Sequence, residues 1–115
     1  MEESLVVILK ALCTRVFPDF APLSTAQPYV TWQNIGGQTL RFTEGTAADK
    51  RNALIQVNVW AGSRLQARNL ARSIEDAMCS TATLTAIPIG EQVSTAEEDL
   101  GLYGTIQTFN IWATR

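Results

Sequence analysis

An α+β domain, with two helices covering one face of an antiparallel β-sheet, is the fold class this sequence predicts, and three observations predict it. Apolar residues recur at helical spacing in two segments, and the stretches between and after them follow a period-two pattern rich in β-branched and aromatic residues. The resulting order is helix, strands, helix, strands, which groups the strands instead of alternating each with a helix and so favours antiparallel pairing. Finally, 115 residues, 46% of them hydrophobic, make a single domain (1–115) that can build a core without disulfides or metals.

The first helix is expected from Glu3 to about Val16, because Leu5, Ile8, Leu9, Leu12 and Val16 repeat at steps of three and four. Pro18 ends it, since the residue before a proline is pushed out of the helical region. Phe17–Pro22 then reads as a connection. Tyr29–Asn34 has strand composition, Gly36-Gly37 supplies a turn, and Gln38–Thr43 returns as a second strand. Glu44–Asn52 lacks periodicity and reads as a loop, longer than a common hairpin connection. Ala53–Ala61 is the clearest strand.

Gly62-Ser63 opens a second helix, Arg64–Met78, with Ser63 as N-cap. Ala67, Leu70, Ala71, Ile74, Ala77 and Met78 form its apolar stripe. Arg64, Arg68 and Arg72 lie on the opposite face, with Asp76 four residues after Arg72 as an ion-pair partner. Leu84–Val93 is a strand interrupted by Pro88 and Gly90, hence an edge strand or a bulged one. Ser94–Gly101, with its acids Glu97, Glu98 and Asp99, reads as a solvated loop. Leu102–Ala113 closes the chain as a long strand.

Several functional classes lose their footing on composition. Nine basic against eleven acidic residues give a net charge of −2, not the positive field that phosphate binding draws on. No sequence-specific nucleic-acid partner is expected, and the arginine stripe reads as a solvated helix face, with a DNA contact as the weaker alternative. The chain has no histidine, so Ser-His-Asp and Cys-His catalysis is ruled out, and no phosphate loop or dinucleotide fingerprint occurs. Catalytic, cofactor-binding and metal residues are therefore expected to be none. Cys13 and Cys79 stand singly in helical stretches and read as buried, reduced thiols. The acidic start Met1-Glu2-Glu3 does not look like a signal peptide. The apolar run Leu5–Leu9 is far shorter than the ~20 residues that span a bilayer, so synthesis in the cytoplasm and no membrane partner are expected.

The most informative feature is a pair of echoing strands. Gln56-Val57-Asn58-Val59-Trp60-Ala61 and Thr108-Phe109-Asn110-Ile111-Trp112-Ala113 share one pattern: polar, apolar, Asn, β-branched, Trp, Ala. Strand side chains alternate faces. If the aliphatic set faces the helices, Asn58, Trp60, Asn110 and Trp112 share the other face, in two hexapeptides without a charge. Aromatic residues are enriched and charges depleted in interface cores, so these four are the candidate interface residues. The alternatives are rings that merely shield cross-strand neighbours, or a small-ligand binding module whose pocket is built from the Trp and Asn side chains. Glu44, Asp49, Lys50 and Arg51 form a candidate assembly loop of the kind that orders on contact with a partner.

Pro28-Tyr29-Val30-Thr31-Trp32, then Val57-Asn58-Val59-Trp60-Ala61 running directly into the helix Arg64–Met78, and the closing Phe109-Asn110-Ile111-Trp112 resemble the tail completion family of siphophages and their prophages, over nearly the whole chain. The resemblance implies a fold related to the lambda-type tail terminators. It implies a structural protein with no catalytic residues that forms a ring, generally hexameric, caps the tail tube and joins the tail to the head. Its partners would be itself, the tail tube protein and head connector proteins. Its locations would be the bacterial host cytoplasm during assembly and then the virion tail.

Overall fold

The computed structural model describes residues 2–22, 25–37, 50–97 and 101–114. Its elements run α1 (Glu2–Leu12), β1 (Val16–Pro18), β2 (Tyr29–Gly36), β3 (Lys50–Ala61), α2 (Arg64–Ser80), β4 (Thr85–Glu97) and β5 (Leu102–Thr114). The strands make a single sheet in the order β1-β2-β3-β5-β4. The α+β class holds, with one correction: the sheet is mixed. β1 runs parallel to β2, while β2–β3, β3–β5 and β5–β4 are antiparallel.

That parallel strand is also why the first helix stops early. The last helical bond runs from Cys13 N to Leu9 O at 3.0 Å, and Val16–Pro18 pair with Val30–Trp32. Val16 is buried whether it ends a helix or begins a strand, so apolar spacing alone does not separate the two. The pairing with β2 decides it.

Both helices lie on the same face of the sheet. α2 crosses β3, β5 and β4, and α1 packs against α2 and β1. On the sheet side the core holds Val30, Ile55, Val57, Val59, Phe109 and Ile111; α2 contributes Ala67, Ala71, Ile74 and Met78, and α1 adds Leu5 and Leu9. The two alanines let α2 sit close against the strands. Ser63 caps the helix as expected, its hydroxyl accepting from Gln66 N at 3.2 Å. Such a cap contributes about 1 kcal/mol.

β4 is an edge strand and carries a bulge, as Pro88 and Gly90 suggested. The register passes from Ile89↔Thr108 to Val93↔Ile106, so Gly90, Glu91 and Gln92 stand against Gln107 alone. Gly90 has φ +75°, a conformation that favours glycine. Buried Gln107 holds the bulge from inside, its Nε2 donating to Gly90 O at 3.1 Å and to Glu75 Oε1 of α2 at 2.6 Å. Gln92 Nε2 reaches back to Arg68 O at 3.3 Å. Because the strand continues beyond the bulge to Glu97, the stretch Ser94–Glu97 is strand and not loop.

Candidate interface on the open sheet face

Alternation along β3 and β5 separates the two faces cleanly. Ala53, Ile55, Val57, Val59 and Ala61 are buried toward the helices, and so are Thr105, Gln107, Phe109, Ile111 and Ala113. Asn58, Trp60, Asn110 and Trp112 take the intervening positions and are each half-buried. The third tryptophan, Trp32, opposes Val57 on the helix-covered face and belongs to the core.

The structure does not bring the two echoing tryptophans together. β3 and β5 are antiparallel, so Trp60 opposes Gly104 while Trp112 opposes Asn52. Eight positions of β5 separate Gly104 from Trp112, about 27 Å at ~3.4 Å per residue. A single aromatic pocket lined by both rings, the ligand-binding alternative, is thereby ruled out. Instead the open face is a long strip with a tryptophan toward each end.

Each end is built differently. At one end the Trp60 ring lies over Gly104: a Cβ placed there would stand 2.8 Å from Trp60 Cε3 and 2.8 Å from Val59 O. A bare backbone at 104 is what lets the indole lie flat across the strand, a cover over an otherwise side-chain-free stretch of sheet. Neighbouring Asn58, set between Thr31 and Ile106 in the register, has a buried Oδ1 without a hydrogen-bond partner among the described residues. At the other end Asn52 Nδ2 donates to Asn110 Oδ1, and to Ile111 O at 3.0 Å, tying β3 to β5 beside Trp112.

β4 widens the strip. Ile87, Ile89 and Val93 pair with Asn110, Thr108 and Ile106, share their face, and are 52, 54 and 62% exposed. Reading the echoed hexapeptides alone misses these three; the period-two spacing of Ile87 and Ile89 was the available signal. Tyr29, Thr31 and Gln33 of β2 complete the face opposite Trp60, Asn58 and Gln56. None of these paired positions is charged, and Glu91 lies exposed in the bulge.

The candidate assembly loop is placed only in part. Glu44 and Asp49 lie outside the described residues, as does the expected strand Gln38–Thr43. Lys50 and Arg51 are not loop residues: they begin β3, in register with Thr114 and Ala113, because β5 is long enough to extend the ladder past Ala53.

The arginine stripe is exposed at all three positions, and two of its side chains also touch their own molecule. Arg64 stands over the Tyr103 ring at 5.9 Å from its centroid, and Arg68 Nη1 donates to Ser94 Oγ at 3.4 Å. No Arg72–Asp76 ion pair forms among the described residues. No group of three or more potential metal ligands occurs there either, and no helix is long and apolar enough to cross a membrane.

Two further residues depart from expectation. Arg15, expected within the helix, instead clamps the segment before β2, Nε donating to Pro28 O at 2.9 Å and Nη2 to Gln27 O at 3.1 Å. Cys13 is buried but Cys79 is exposed in the last turn of α2, on the side away from the core residues Ile74 and Met78. Partial desolvation, then the charges of Glu75 and Asp76, raise the Cys79 thiol above its ordinary pKa. A raised pKa leaves less thiolate at any given pH. Maleimide labelling of Cys79 is expected to be slower than that of free cysteine at neutral pH, and to need higher pH to reach half its maximal rate. A rate profile shifted to lower pH would contradict this.

Comparison with known proteins gives three findings. The model of a family described as Tail completion protein gp17 matches residues 5–114. No curated protein matches the sequence. Among solved structures, a chain in the virion of a native gene transfer agent particle has a similar fold, with a TM-score of 0.64 at 15% identity over 93% of this chain and 84% of that one.

Proposed function

Since this chain belongs to the Tail completion protein gp17 family, and is thus a structural protein of the phage tail, we propose that it caps the tail tube and joins the tail to the head by associating with itself into a ring. One observation carries the proposal: a sheet face whose paired positions from Trp60 to Trp112 are uncharged along about 27 Å, with half-buried tryptophans toward both ends and exposed isoleucines and valine beside them. Exposed apolar patches of this kind mark protein contacts. Asn58, Trp60, Asn110 and Trp112 are the interface residues, extended by Ile87, Ile89 and Val93.

The partners are further copies of the chain, the tail tube protein and the head connector proteins. Glu44, Asp49, Lys50 and Arg51, at and before the start of β3, act at the same assembly step, which takes place in the bacterial host cytoplasm. The work is done by contact and not by catalysis. Electron microscopy of tails assembled without this protein tests the reading. Overlong tubes are the expected result for a cap, and normal-length tails detached from heads the result for a joining role alone. Normal virions in its absence would refute both.

A further inference from the structure

We infer that the bulge of β4 is the device that takes an acid out of the ladder of the open face, and that Gln107, from the helix side, is the residue that positions it. The inference rests on the interface reading above and names what sets the composition of that face.

Strand alternation alone would put a charge there. Thr85, Ile87 and Ile89 lie on the open face opposite Trp112, Asn110 and Thr108. Were the ladder regular, the next residue on that face would be Glu91, opposite Ile106. Ile106 is two positions from Gly104, which lies under the Trp60 ring, so the acid would fall within the strip. In the structure three residues, Gly90, Glu91 and Gln92, stand against Gln107, where a regular ladder sets one. The insertion is thus two residues long. Two is also the strand period, so every later side chain of β4 keeps its face. Only the occupant changes: Val93 takes the place opposite Ile106, and Glu91 is left exposed outside the ladder. An insertion of one residue, the ordinary bulge, would have turned the rest of β4 over.

The bulge is held from both sides. From within, buried Gln107 donates through Nε2 to Gly90 O at 3.1 Å and to Glu75 Oε1 of α2 at 2.6 Å. From without, Gly90 holds φ +75°, with no atom within 4 Å of the place a Cβ would take. Glycine is therefore needed there for its backbone conformation and not for space. Gln92 Nε2 adds a tie to Arg68 O at 3.3 Å. Without these restraints the regular ladder regains the backbone pairing that a bulge gives up. Glu91 then moves onto the open face, where an unpaired carboxylate buried by a partner is costly.

Two variants release the bulge by independent routes. Gln107→Met removes the inner clamp at similar length. Gly90→Val penalises the left-handed conformation at an exposed position with open space, so it leaves the core intact. Circular dichroism first confirms that each is folded. Cross-strand nuclear Overhauser contacts then read the register: wild type is expected to join residue 93 to 106, and both variants to join residue 91 to 106. Self-association is measured by sedimentation velocity, and each variant is expected to bind about tenfold or more weakly. Adding Glu91→Val to either variant is expected to restore association, while Glu91→Val alone leaves it nearly unchanged because residue 91 is then outside the ladder. A purely structural role for Gln107 would not make its effect depend on the charge at 91. If residue 93 stays opposite 106 in both variants, Gln107 and Gly90 do not set the register and the inference is overturned. It is equally overturned if the register shifts but Glu91→Val restores nothing. Incorporation into tails is scored on the same set, so the role of the bulge is decided even where wild type stays monomeric and the ring reading alone falls.

Discussion

Phe109→Ala is expected to lower the stability of the monomer by about 3–5 kcal/mol, the largest single loss among the variants considered. Phe109 is fully buried, pairs with Ile55 across the two central strands, and faces the helices. Removing its ring leaves a cavity that the neighbouring strands, fixed by ladders on both sides, do not collapse to fill. Against a typical domain stability of about 5–15 kcal/mol, such a loss leaves a marginal fold. Urea denaturation followed by circular dichroism reads the effect as a lowered midpoint at unchanged slope. A loss under about 1 kcal/mol would mean that this face is not the core.

Trp112→Ala is expected to behave in the opposite way. The ring is half-buried on the uncovered face, so its removal changes the monomer's midpoint little. Truncating a tryptophan anchor costs about 2 kcal/mol or more of association, roughly 30-fold in Kd. Sedimentation velocity on wild type and variant measures this loss, and incorporation into tails reports its consequence. A large fall in monomer stability with unchanged association would place Trp112 in the core and remove it from the interface. Trp60 is the less clean probe, because its ring also covers Gly104, and its truncation uncovers sheet backbone in the monomer too.

The contrast between these variants was already legible in the sequence. Val57 against Trp60, and Ile111 against Trp112, follow from strand alternation once the aliphatic set is assigned to the helices. Ser63 announced the start of α2, and Pro88 with Gly90 announced a bulged edge. What stayed hidden depends on partners distant in the chain. The three-residue β1 exists only because β2 is there to pair with it, and Val16 fits helical spacing equally well. Gln107 interrupts the apolar pattern of β5, yet it is buried because Glu75 and Gly90 O satisfy it. The echo of the two hexapeptides suggested neighbouring rings, but antiparallel pairing sends them to opposite ends. Sequence similarity of two strands carries no information on their relative direction.

The bulge in β4 has a further consequence, for fibril formation. An exposed edge strand is a template on which foreign strands add, and a long regular one seeds aggregation. The outer edge of β4 is thirteen residues long, but Pro88 has no N–H to offer and Gly90–Gln92 are out of register. An incoming strand therefore meets two short interrupted stretches in place of one continuous ladder, and the Gln107 and Gln92 hydrogen bonds to α2 keep the irregularity from being ironed flat. Growth by backbone zippering is thus closed off along the strand that carries exposed Ile87, Ile89 and Val93. Side-chain recognition is left as the way another chain engages this sheet, and side chains, unlike backbone, discriminate between partners.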